Sequence, residues 1–232
     1  MNTKTLLILS LAGLGVVANA QVNTYNDLDQ LRNAGGLVST ANFGVNQRFE
    51  SGFAAFSGFV ADDVNLTGGI IDKVGVAMEF SNPATLNTLP TSITGWDIYV
   101  GDRATLAAGG GLAATVANTA VVSNVGSVAN SRMFELSGLS VNAGGTGVKM
   151  VAVVPVMDFS PNGQTFILSN TTPLTGGGNN SVGFNPGNGF GLGTSVDVLT
   201  NAALAVNTVP EPATMVALGA GLLAIARRRR SK

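Results

Sequence analysis

Side chains able to do chemistry are scarce in this chain, and the scarcity is informative. Among 232 residues there is no Cys and no His, which removes thiol nucleophiles, Cys- or His-based metal sites and every imidazole general base. Oxygen ligands and aromatic rings remain. Asp62 and Asp63, with Asn65 close by, could serve Ca²⁺, a hard cation that takes roughly six to eight oxygens. Adjacent strand residues point to opposite faces, so the pair shares an ion only if the chain bends there. Trp96 and Tyr99 are rings with polar handles, of the kind that sugar-binding sandwich modules use as stacking platforms. Their odd spacing turns them apart: Trp96 goes with Ile98 and Val100 toward a core, and Tyr99 goes with Asp97 toward solvent. A glycan hydrolase would need two carboxyl groups roughly 5–10 Å apart. The acids here, such as Asp97 with Asp102 or Glu79 with Glu135, are scattered singly. The expectation is a protein that is not an enzyme and needs no cofactor, with Asp72 and Asp97 at the surface.

The ends of the chain carry a different kind of information. Lys4 is followed by an apolar run over residues 6–17, broken only by Ser10 and glycines, and then by Ala18-Asn19-Ala20 before Gln21. Such a run is too short to span ~30 Å of hydrocarbon, and its small-x-small end suits a signal peptidase, which predicts a signal peptide over residues 1–20. At the other end stand Val209, Pro210, Glu211 and Pro212, then an apolar stretch to Ala226, then Arg227, Arg228, Arg229 and Arg230. The prolines fix φ and hold Val209 and Glu211 extended, a hydrogen-bond-free strand that an enzyme can grip. Pro212 suits a helix first turn, and Glu211 favours its positive end. A helix over residues 213–226 would be ~21 Å long, a transmembrane segment that spans only by thinning the bilayer or by snorkelling of the arginines. The arginines stay on the cytoplasmic side while the leader sends the rest outward, giving an N-out, C-in precursor in the inner membrane.

The order Val-Pro-Glu-Pro-Ala-Thr, short glycine-containing apolar helix and terminal arginine cluster resembles the PEP-CTERM sorting domain, over residues 209–232. The resemblance implies recognition by an exosortase, a multi-pass membrane enzyme with a catalytic cysteine that processes the chain near Pro210, Glu211 and Pro212. It also implies an exported protein of the cell surface or extracellular matrix, structural or adhesive in exopolysaccharide or biofilm. Two rival functions stay open: a carbohydrate-binding module of the envelope, and a carboxylate-based glycan hydrolase.

Residues 21–208 must then form the exported fold, a length ordinary for one domain. Between Gln21 and Val209 six basic residues face twelve acidic ones, so no basic patch exists for nucleic acid. Short apolar alternations separated by Gly, Asn, Ser and Pro predict an all-β domain, a single jelly-roll-like sandwich of about nine or ten strands. Val74, Val76, Met78 and Phe80 alternate with Lys73, Gly75, Ala77 and Glu79, as in a half-buried strand. Residues 148–156 are apolar on both faces, as in a central strand. Alternation also runs through Phe43, Val45 and Phe49. Residues 59–64, 70–74 and 96–99 are similar to the opening of sandwich domains that precede this sorting signal. Residues 25–33 suggest a helix, and the uncharged, glycine-rich stretch 176–193 a long flexible loop.

Overall fold

The computed structural model describes residues 31, 36–40, 44–125, 128–170, 181–198, 200–210 and 225. The expected signal peptide with Ala18, Ala20 and Gln21 lies outside the described residues. So do the helix at 25–33 apart from Leu31, residues 176–180, and the sorting signal beyond Pro210 apart from Ile225.

The described chain is an all-β sandwich of two sheets. One sheet runs β1 (Leu37–Ser39), β9 (Thr165–Asn170), β3 (Ile70–Phe80), β7 (Ser131–Asn142), β6 (Val121–Asn124); β12 (Asn201–Ala202) pairs with β9 and β13 (Leu204–Val209) with β3. The other runs β11 (Ser195–Asp197), β10 (Val182–Phe184), β2 (Phe59–Leu66), β8 (Gly147–Val156), β4 (Gly95–Gly101), β5 (Leu112–Ala117). The chain shuttles between them: β2 is followed by β3 in the facing sheet, and β7 by β8. That traffic puts the inward faces of β2, β3, β4, β7 and β8 together. Val60, Val76, Met78, Trp96, Ile98, Phe134, Val151 and Val153 form one buried cluster. Trp96 is 0% exposed, packs on Phe134 at 5.1 Å and donates its indole N–H to Asn118 Oδ1 at 2.9 Å. The indole is thus buried with its one donor satisfied.

Both sheets are also covered outside. Gly75 and Ala77 of β3 are buried, because Ala77 packs with Leu31, Leu37, Met133, Leu168 and Ala203; β3 is therefore not the half-buried strand that its alternation predicts. The strand β8 has cover on each side as expected from Met150 to Pro155, whereas Val148 at its start is exposed. Met150, Ala152 and Val154 pack against Leu106, carried by the short helix Arg103–Ala107. Asp102 starts that helix by accepting the Thr105 N–H at 2.7 Å, an N-cap bond that holds its carboxyl below the ordinary range.

Three other expectations change. Residues 45–48 form isolated bridges to Phe166, Gly58 and Val156 instead of a strand. They cross from one sheet to the other, and buried Asn46 and Gln47 spend their amides on that crossing. Asn46 donates to Val153 O and accepts from Val60 N, while Gln47 accepts from Thr165 N and donates to Met157 O. The glycine-rich stretch contains β10, paired on both sides. Two of its glycines are dictated by contact, since a Cβ at Gly187 would lie 2.6 Å from Ala55 Cα and one at Gly189 2.5 Å from Ala55 O. Finally, the described residues form thirteen strands in place of the nine or ten expected, the additions being short or partly polar.

Strand direction gives the sandwich two poles about 25 Å apart, the length of the eight-residue β2. One pole holds the β2–β3 turn, the β7–β8 turn and the end of β13. The opposite pole holds residues 44–58, the β8–β9 connection and the turn after β10.

Candidate functional site

The structure separates the residues that the sequence singles out. Asp62 is 0% exposed and faces the space between the sheets; its Oδ1 accepts the Asp63 N–H and its Oδ2 the Ala202 N–H, each at 2.8 Å. Burial pushes this carboxyl up to about 7 against the two backbone donors that lower it. Asp63 points the other way and lines a groove on the outer face, so β2 does not bend to bring the two acids to one ion. Among the described residues no group of three or more acidic side chains is placed to hold a metal.

The two rings are equally apart. Trp96 is core, as its face predicts. Tyr99 is half-buried rather than open: it stacks on Phe59 at 4.4 Å and 10°, and Phe59 stacks on Phe184. Burial first and the Asp97 carboxylate second raise the Tyr99 phenol. Asp97, expected at the surface, is 0% exposed and pairs with Arg48 Nε at 2.7 Å, with a second bond from Thr115. A buried carboxylate needs such partners. The sequence gives no hint that a residue in the 45–48 crossing supplies one. Candidate acid pairs do not converge: Asp97 and Asp102 lie five residues apart along and beyond β4, roughly 16 Å. Glu79 sits opposite Ser131, four residues along β7 from Glu135, roughly 13 Å away.

The outer-face groove, ≈930 Å³, runs between Asp63, Lys149, Ser181 and the helix Arg103–Ala107. Its cations are committed, Arg103 to Asp197 at 2.7 Å and Lys149 to the carbonyls of Ala143 and Gly144, each at 2.7 Å.

At the pole away from β13 a site assembles that no sequence pattern announces. Phe53, Phe56, Phe159 and Phe190 are 41%, 39%, 38% and 37% exposed. Phe53 meets Phe159 at 5.3 Å, Phe56 meets Phe190 at 5.4 Å, and buried Phe49 closes the floor against Phe159 at 6.0 Å. Two clefts of ≈220 and ≈200 Å³ adjoin there, sharing Phe190 and Gln164. The rings come from three separate loops, each tied down. Asn185 Nδ2 donates to Ala55 O and Ser57 O at 2.8 Å, and Glu50 Oε2 accepts the Phe159 N–H at 2.8 Å. The signal available in the sequence is only the recurrence of Phe beside Gly, Ser and Asn in loops.

The other pole carries the exit to the C-terminus. Val209 pairs with Ile70, and Thr208 Oγ1 accepts the Gly68 N–H at 2.9 Å. A register shift falls between Asn207 and Thr208. Pro210, with no N–H, ends the ladder. The sheet therefore takes in Val209, the first residue of the expected signal, and presents Pro210 exposed beyond it. Among the described residues no helix is long and apolar enough to cross a membrane; the expected transmembrane stretch and the arginine tail, Arg227 to Arg230, lie outside them.

No curated protein and no solved structure matches the chain. A family model, the PEP-CTERM protein-sorting motif, matches residues 208–230, which begins within the last two residues of β13. The chain thus carries the sorting signal of an exported protein, anchored in the membrane before an exosortase processes it.

Proposed function

We propose that this is an exported, non-enzymatic protein of the cell surface or matrix, delivered by its C-terminal signal and adhering through the aromatic pole to neutral polysaccharide of the exopolysaccharide or biofilm matrix. The observation that carries this reading is the opposition of the two poles: the chain leaves toward the membrane at Pro210, and four half-exposed phenylalanines stand about 25 Å away. In this reading signal peptidase cuts after Ala20 and the membrane stops the chain at Arg227 to Arg230, which leaves that pole facing outward.

Size and charge narrow the partner. Four such rings expose about 300 Å² together, at the lower edge of patches with a role and well below the roughly 800 Å² per side of a stable protein pair. Glu50 and Asp158 border the cluster, which disfavours anionic polymers. Rings fixed by Asn185 and Glu50 lose little freedom on binding, which favours affinity. The carbohydrate-binding alternative thereby shifts from Trp96 and Tyr99 to these phenylalanines. The hydrolase alternative draws no support from the pairs Asp97 with Asp102 and Glu79 with Glu135, which lie roughly 13 Å and more apart.

The test is co-sedimentation with insoluble cellulose, chitin and starch. The exported protein is expected in at least one pellet, and the double variant Phe53→Ser with Phe190→Ser, at exposed positions, is expected to lose tenfold or more. Wild type free of every pellet, or a variant that sediments equally, refutes the reading. Trp96 emission serves as a check of folding only, because the indole is enclosed.

A further inference from the structure

Each sheet has two edges, and they are treated differently. On one flank the edges are β1 and β13 in one sheet and β11 in the other; β1 and β11 have three residues each, with Ser39 bound to Glu79 and Asp197 paired with Arg103, and Ala205 of β13 packs with Leu31 and Leu37. Short edges, covered edges and edges that carry a charge all hinder strand addition. On the other flank stand β5 and β6, joined by residues 118–120, so both open edges lie side by side, one per sheet. Among the described residues each strand is paired on one side only. Among the described residues no backbone group of β6 bonds outside its ladder, and β5 adds only Ala117 O with Thr119 N–H. No charged residue occurs between Arg103 and Arg132, and neither strand contains Pro. Val121, Val122 and Leu112 are 66%, 41% and 50% exposed. The one blunting device is the register shift that leaves Ala113 unpaired.

We propose that this flank joins two copies of the chain edge to edge, β6 of one pairing antiparallel with β6 of the other about a two-fold axis at Val122. The occupant must offer two open, uncharged strand edges about 10 Å apart, the spacing of two packed sheets. The same flank of a second copy offers them, and a two-fold contact is self-complementary by construction. Charge points to the same place. An exported segment with twelve acids against six bases has a net charge of one sign, which opposes contact between copies elsewhere, and this flank presents no charged side chain of its own. A perpendicular axis keeps inward faces inward, so Val122 meets Val122 of the second copy and Val121 meets its Ser123. Both sheets then run on across the junction. This contact is independent of the aromatic pole, which lies at an end of the sandwich and not on its side wall.

The experiment is sedimentation velocity of the exported protein over a concentration series, beside Val121→Lys and Leu112→Lys, both at exposed sites. Wild type is expected to dimerise, and each lysine to weaken the dimer tenfold or more with the circular dichroism unchanged. Phe53→Ser is expected to dimerise as wild type, which separates this contact from the polysaccharide reading. A second arm uses the absence of native Cys: Val122→Cys should form a disulfide-linked dimer on oxidation, whereas Val148→Cys, at a site 64% exposed on β8, should not. A monomeric wild type, lysine variants that still dimerise, or equal cross-linking at 122 and 148 each overturn the proposal.

Discussion

Titrating a single carboxyl should set how this protein's stability depends on pH. The Asp62 carboxyl is fully enclosed between the sheets and pushed from 3.8 to about 7, chiefly by burial. The folded state therefore holds its proton more tightly than the unfolded state does. The sign follows: stability from this group is present in full below the unfolded value and lost as pH rises through the folded value, because the charged form must then be buried. At about 1.4 kcal/mol per unit, ionisation at high pH costs about 4 kcal/mol, of which about 2–3 kcal/mol falls between about pH 5 and 8. The chain has no His and no Cys, so the groups that usually titrate in this window are missing; only the α-amino group, near 7.7–8, enters at its upper edge. With a urea slope of about 2–3 kcal/mol per molar, the midpoint should fall by about 1 M across that window. Trp96, the sole tryptophan and wholly buried, reports the transition. In Asp62→Asn the slope should vanish, because nothing at the site ionises. A wild-type midpoint that is flat or rises toward alkaline pH, or a variant that keeps the slope, refutes the reasoning.

Arg48→Met should destabilise the fold by about 2–4 kcal/mol in urea titration, since it strands the enclosed Asp97 carboxylate with only the Thr115 hydroxyl; the half-exposed arginine keeps the figure at the lower end. Adding Asp97→Asn should recover part of the loss. Gly68→Ala places a Cβ 2.3 Å from Val209 O, so it should displace the end of β13 and speed proteolysis around residues 207–210, while Gly52→Ala, which meets nothing within 4 Å, should not. Mass spectrometry of the protein recovered from cells should find a chain beginning at Gln21 and ending near Pro210 to Pro212, without the arginine cluster. Intact termini would contradict export and processing.

The sorting signal was legible because it is written locally: proline geometry, hydrophobic length and charge order act within some twenty consecutive residues, and the family match begins within two residues of where they point. Strands such as β3 and β4 were legible for a similar reason, since period-two alternation is a property of neighbours along the chain, and β8 from a run that is apolar on both faces. That parity also placed Trp96 inward and Tyr99 on the opposite face. It could not say which of Asp62 and Asp63 is inside, nor that Asp97 is buried. Those facts depend on what packs against each face, and the partners Arg48, Thr115 and Ala202 come from distant parts of the sequence.

The stretch 45–48 alternates like a strand, yet the amides of Asn46 and Gln47 close the end of the sandwich by bonding residues more than a hundred positions away. The strand β10 hides among glycines because its pairing with β2 and β11, distant in sequence or beyond the glycines, is what makes it a strand, and it buries Val182 and Phe184. Phe53, Phe56, Phe159 and Phe190 form one surface only after three loops are brought to the same pole. The sequence by itself determined that the chain carries a sorting signal and that it folds as β-structure, since short-range hydrophobicity, proline and charge decide both. Tertiary structure alone decided which acids are enclosed, which rings meet and which edges stay open, because each of these is a relation between segments that only the packing of two sheets brings into contact.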